Sequence, residues 1–166
     1  MSAPSSAGTA LTPAEILELL PQQEPFRFVD AILEVDEDHI VATYRYRPEA
    51  DFNRGHFPGN PVTPGVILLE TAAQVAVVAL GIYLVALTGG RDAVRRTLAL
   101  FADAEVEFSG VVRPGERVTV RAEKVFYRRG KIRSNAEMTL DDGTVVCSAT
   151  ISGMGVPAGR PAEASA

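Results

Sequence analysis

The sequence predicts an α+β domain: an antiparallel β-sheet wrapped around one long, central apolar helix. Three observations carry that reading. Residues 31–35 and 39–46 alternate in polarity and are rich in β-branched and aromatic residues, the pattern of strands. Pro64 to Leu87 then forms an apolar run without Lys, Arg or Asp. Beyond Gly89 and Gly90, alternating runs return at 98–104, 104–108, 117–127, 131–140 and 144–154, making three or four strands. RRG (128–130) and DDG (141–143) read as hairpin turns between them.

Each element has a local reason. Thr12, Pro13 and Glu15 occupy N-cap, N1 and N3 positions, so a short helix over 13–20 is expected, stopping at Pro21. PFRFVD (25–30) is a tight, partly aromatic lead-in to the first strand, and VDED turns the first strand into the second. Residues 48–63 hold three prolines and two glycines and read as a loop. The ordered domain is expected over 11–155, with a disordered leader (1–10) and a disordered tail (156–166) of small and polar residues.

Composition narrows the function. The chain has 166 residues, the size of one domain, and 46% of them are hydrophobic, enough for a real core. A net charge of -5 gives no overall attraction to nucleic acid or to an anionic membrane. One cysteine, Cys147, excludes an internal disulfide, reads as a core thiol and fits a reducing cytoplasm. Two distant histidines and one cysteine make no case for a metal; His39 reads as a surface strand residue. The run 66–87 is long enough to cross a bilayer, but Glu70 and Gln74 lie in it and no aromatic or basic belt flanks it. Its alanines suit close packing against a sheet, so a buried core helix is expected rather than a membrane span.

The stretch NRGHFPGNPVTPGVILLETAAQ (53–74) concentrates the chemistry. Histidine is the side chain suited to general-base work near neutral pH, which makes His56 a candidate base. Glu70, just over one turn into the helix, suits a general acid, because an apolar wall favours the protonated carboxyl. Gln74 is one turn further on the same face, within reach of Glu70. Pro64-Gly65 begins the helix, whose free N–H groups would stabilise a carbonyl oxygen gaining charge. This set fits removal of a proton beside a carbonyl and expulsion of a β-hydroxyl as water. A loop-fixing hydrogen bond from His56 and a buried polar network at Glu70 are the structural alternatives.

These motifs resemble the 3-hydroxyacyl-acyl-carrier-protein dehydratases of type II fatty acid synthesis, of the hotdog fold. GHFPGNPVTPGVILLETAAQ (55–74) is similar to that family's active-site signature, and LPQQEPFRFVD (20–30) to its N-terminal lead-in. VVRPGE (111–116), RRGKI (128–132) and DGTVVCSATI (142–151) are similar to its later turns and last strand. The resemblance implies a catalytic pair at His56 and Glu70, contributed by different subunits of a homodimer. Three such dimers commonly form a hexamer. It implies a thioester carbonyl held at the Gly65 amide, with Val66, Phe57, Pro58, Gly59 and Gln74 also at the substrate. It implies an apolar acyl tunnel along the helix, no cofactor and no metal.

The chain departs from the family at Gln22-Gln23, where His and Arg are usual, and at Ser109-Gly110, often basic. A specialised lipid, polyene or polyketide pathway is therefore as open as a housekeeping one. The implied partner is an acyl-carrier protein. Such carriers are acidic, so Arg121, Lys124, Arg128, Arg129, Lys131 and Arg133 are its candidate docking surface. Hotdog thioesterase and non-catalytic carrier-binding protein are the competing functions.

Overall fold

A computed structural model describes residues 8–159. Helix α1 (Pro13–Leu19) starts at the expected cap: Thr12 Oγ1 accepts from the Glu15 N–H (3.3 Å), and Glu15 Oε2 accepts from the Thr12 N–H (2.8 Å). Strands β1 (Ala31–Val35) and β2 (His39–Arg45) pair around VDED, where Asp36 Oδ1 accepts from the N–H groups of Asp38 and His39. Residues expected as loop include a five-residue helix, α2 (Asp51–Gly55). The buried Asn53 fixes it by donating to the carbonyls of Arg47 (2.9 Å) and Pro48 (3.1 Å), contacts that Gly/Pro content does not reveal.

The central helix α3 spans Gly65–Arg95, longer than the apolar run alone implied. It includes a π-helical segment, Gln74–Ala79, and a break at Gly90, whose φ of 68° is left-handed. Four strands follow: β3 (Thr97–Phe108), β4 (Arg117–Arg128), β5 (Lys131–Leu140) and β6 (Val145–Pro157). Residues 98–104 and 104–108 are one strand, β3, with a bulge between Phe101 and Asp103. β6 runs past the expected end of the domain at 155, because Thr97 and Leu98 pair with Pro157 and Val156.

All six strands form one antiparallel sheet in the order β1-β2-β4-β5-β6-β3. The sheet wraps α3, and every residue from Thr71 to Leu80 is buried. The helix is long and apolar enough to cross a membrane, yet it is the core of the sheet. Cys147 is buried there as a free thiol, and burial pushes its pKa up to about 11.

Two contacts seat the π segment. Ser134 on β5 donates to the Ala76 carbonyl (2.9 Å), an acceptor deep in the core. Gly153 on β6 lets Val77 approach so closely that a Cβ at that position would lie 2.2 Å from Val77 Cγ1. Gly153→Ala is therefore expected to cost about 1–3 kcal/mol through overpacking. A lower urea midpoint at unchanged m-value checks it.

Candidate active site

Helix α2 ends beside the first candidate. His56 is its C-cap, with its N–H on the Phe52 carbonyl (2.9 Å). Its Nδ1 lies 2.8 Å from the Val62 carbonyl oxygen. A carbonyl only accepts, so Nδ1 carries a proton, and in the neutral form of the ring the lone pair is on Nε2. The loop-fixing bond thus occupies one ring nitrogen and leaves the other as a base.

The loop around His56 is tied at several points. Asn60 N–H donates to the Phe57 carbonyl (2.9 Å), and Thr63 N–H to the Val112 carbonyl (2.7 Å). Phe57 has φ 60°, a conformation that costs a bulky residue about 1–3 kcal/mol, and its ring lies 4.2 Å from the imidazole. Phe57, Pro58 and Gly59 are all exposed, open to a bound molecule.

The loop leads into the start of α3. The first bonds back to the Pro64 carbonyl come from Ile67 (2.9 Å) and Leu68 (3.2 Å), and no side chain caps the helix. The Gly65 and Val66 N–H groups therefore stand ahead of the helical bonding pattern. Gly65 has a packing reason as well: a Cβ there would meet the Phe108 ring of β3 at 3.1 Å.

Glu70 is oriented from behind. Gln74 Nε2 donates to Glu70 Oε1 (2.9 Å) and to the Phe26 carbonyl (2.8 Å), while its Oε1 accepts from the Phe28 N–H (2.7 Å). Its amide is fully buried and both its N–H groups are engaged, so Gln74 holds the Glu70 carboxyl in place. Behind it stands an edge-to-face ladder, Phe26–Phe28–Tyr44–Tyr46, with centroids 5.1, 5.5 and 5.0 Å apart. The ladder ends on Thr71. Thr71 Oγ1 donates to the Ile67 carbonyl (2.9 Å), so the buried Tyr46 hydroxyl is the donor in their 2.7 Å bond.

Within one chain, His56 and Glu70 share no hydrogen bond or ion pair among the described residues. Sequence reasoning singled out both side chains and the Glu70–Gln74 bond. It missed the Val62, Phe26 and Phe28 backbone partners, which hydropathy and spacing do not encode.

The six basic residues do not form one free patch. Arg121 faces Glu34 and Glu123 (both 3.8 Å), Lys124 faces Asp38 (3.2 Å), and Lys131 (3.6 Å) and Arg133 (2.9 Å) share Asp103. Arg128 lies over the Phe126 ring (5.0 Å), and Arg128 and Arg129 alone of the six meet no carboxylate among the described residues. They sit at the far end of β4 from the turn that anchors the His56 loop, roughly 35 Å away for twelve extended residues. Arg113 is nearer the site: it is exposed and donates to Asn60 Oδ1 (3.3 Å) in that loop.

Comparison with known proteins completes the picture. The FabA-like domain family matches residues 20–150. The chain belongs to the FabA-like family. A relative, the 3-hydroxyacyl-[acyl-carrier-protein] dehydratase FabZ of Desulfotalea psychrophila, is 38% identical, with 82% of this chain and 91% of that protein aligned. Among solved structures, the dehydratase heterocomplex ApeI:P of Xenorhabdus doucetiae superposes with TM-score 0.66 at 13% identity, covering 90% of this chain and 93% of that one. A thioesterase of Haemophilus influenzae superposes with TM-score 0.64 at 17% identity, covering 90% and 94%. The architecture of this FabA-like chain is thus the hotdog fold, which dehydratases and thioesterases share.

Replacing Gln74 by Leu would orphan the buried Phe28 N–H, remove the donor to the Phe26 carbonyl and release Glu70. A loss of about 1–3 kcal/mol is expected, read by urea denaturation, together with lower turnover.

Proposed function

We propose that the chain dehydrates 3-hydroxyacyl thioesters carried on acyl-carrier protein, reversibly, to trans-2-enoyl thioesters. The observation that carries the reading at the site is the His56–Val62 bond, which leaves Nε2 as a base. His56 Nε2 removes the proton α to the thioester carbonyl. The Gly65 amide receives the charge that builds on the carbonyl oxygen. Glu70 protonates the β-hydroxyl, which leaves as water. Phe57, Pro58, Gly59 and Val66 border the substrate, and Gln74 keeps Glu70 aimed. No step calls for a metal or cofactor.

The working unit in this reading is a homodimer, with His56 and Glu70 of different subunits at each site, in the cytoplasm. Support comes from the lack of contact between the two groups in one chain and from β3. That edge strand is twelve residues long and exposes Leu98, Leu100, Phe101 and Phe108, an edge suited to pairing with a second copy. Assembly of such dimers into a hexamer rests on the family resemblance. For the carrier, Arg113 joins Arg128 and Arg129 as a docking candidate, while the four paired cations become weak ones. A thioesterase is disfavoured by the HFPG loop and its base.

His56→Ala is expected to lower kcat by about 100-fold or more, with the oligomer intact on gel filtration. Mixing His56→Ala with Glu70→Ala chains then tests the shared site. Random pairing restores about a quarter of wild-type activity if the two groups come from different subunits, and none if they act within one chain. Charge reversal at Arg113, or at Arg128 and Arg129, is expected to raise KM for carrier-bound substrate and leave a pantetheine thioester unaffected. Unchanged turnover on the carrier removes that residue from the docking surface.

A further inference from the structure

His56 lies in a segment, 53–63, whose two ends rest on one turn. At the far end, the Thr63 N–H donates to the Val112 carbonyl (2.7 Å). At the near end, Asn53 Nδ2 donates to the carbonyls of Arg47 (2.9 Å) and Pro48 (3.1 Å). Tyr46, just before them, donates its N–H to the Glu116 carbonyl (3.0 Å), and its carbonyl accepts from the Gly115 N–H (2.8 Å). Residues 112–116 therefore carry both ends.

Little else holds the near end. Helix α2 has five residues, too few to be stable by itself. Its N-cap, Ala50, makes no side-chain bond. Its Arg54–Asp51 pair is exposed, where an ion pair contributes little. Phe52 packs partly on the core, a contact without direction. That leaves Asn53, the one buried residue of the helix. Its Oδ1 is buried without a partner among the described residues, a cost that an apolar side chain of the same size would not carry. What the amide supplies in return is two directed bonds.

We propose that Asn53 is a positioning residue for His56. By fixing α2 to Arg47 and Pro48, it holds the imidazole within reach of the Val62 carbonyl and so decides which ring nitrogen is free. The proposal rests on the dehydratase reading and extends it to how the base is set. The link is short. The carbonyl of Phe52, next to Asn53, accepts from the His56 N–H (2.9 Å), so the ring starts from the end of α2. Its Nδ1 then has to meet Val62, whose neighbour Thr63 is held at the other end. The 2.8 Å bond closes only while the two ends keep their separation, because hydrogen bonds weaken steeply once distance and angle depart from the optimum. Without that bond nothing keeps the proton on Nδ1, and the neutral ring divides between its two tautomers. In one of them Nε2 carries the proton and has no lone pair to act as base.

The experiment compares wild type with Asn53→Leu and Asn53→Ala, which remove both donors. Turnover is measured on a 3-hydroxyacyl-carrier thioester. Nitrogen-15 NMR at about pH 9 reads the neutral imidazoles, with the His56 signals assigned by their absence in His56→Ala. In the variants kcat is expected to fall roughly 10- to 100-fold with KM within about twofold, because the base is displaced and the binding surface is not. The wild-type ring is expected to show one tautomer, protonated at Nδ1, and the variant rings a mixture. An unchanged ring spectrum in a folded variant overturns the proposal whatever the loss of activity, since an asparagine that only stabilises the fold gives that result. A mixture in wild type, or unchanged kcat in the variants, overturns it as well. Should neither variant fold, hydrogen exchange in wild type decides. The Asn53 amide protons and the His56 Nδ1 proton are expected to share one opening, with protection within about threefold, and unrelated protection overturns the proposal. If wild type dehydrates no such thioester, the dehydratase reading falls, and the ring spectrum alone decides the role of Asn53.

Discussion

A helix that is apolar on every side must be enclosed, and the rest of the molecule follows from that constraint. Ten consecutive residues of α3, Thr71 to Leu80, are buried, so five strands have to reach it. The sheet does so by curving round it, and its close points are small residues: Gly153 admits Val77, and Ser134 meets the Ala76 carbonyl. The π turn stands where these two contacts converge. The same enclosure sets strict terms for any polar group on that stretch, because an unpaired donor there costs about 1–3 kcal/mol. Thr71 and Gln74 meet those terms through Tyr46, Ile67, Phe26, Phe28 and Glu70.

Satisfying the buried groups produces the site. Gln74 cannot be buried unless residues 26–28 cross the helix, and once they do, one Gln74 donor is left for Glu70. The Glu70 carboxyl is thus oriented by the core, from behind. The His56 ring is oriented by loop backbone, through Val62. Two separate networks therefore hold the two groups, and neither group's geometry depends on the other. Such independence suits a site whose halves are made on different chains, since each half is finished before assembly.

Much of this was legible in the sequence. Alternation pointed to the strands, the long apolar run to the helix, and the residue types at His56, Glu70 and Gln74 to the polar set, down to the bond between Glu70 and Gln74. What stayed hidden depends on partners distant in the chain or on backbone. Lys131 and Arg133 look like free docking charges until β3 brings Asp103 between them, about 30 residues away in sequence. Helix α2 is fixed by one asparagine on two carbonyls, which composition reads only as loop. Spacing shows that Gln74 shares a face with Glu70 but not that its other N–H and its oxygen are taken by Phe26 and Phe28.

The edge of the sheet is where the single chain is least complete. β3 offers a row of unpaired backbone groups and four large apolar side chains to solvent, a combination that natural sheets usually shorten, charge or cover. It is charged only in part, by Asp103, Glu105 and Glu107, and Asp103 is neutralised by Lys131 and Arg133. Pairing with a second copy would bury that row and bring a partner up to Phe108, whose ring already rests on Gly65. In the proposed dimer, the interface that protects the edge is then also the one that shuts water out at the helix start, where the carbonyl charge must be held. A lower local dielectric strengthens exactly the donors that Gly65 and Val66 keep free, so stability of the edge and electrostatics of the site would rise together.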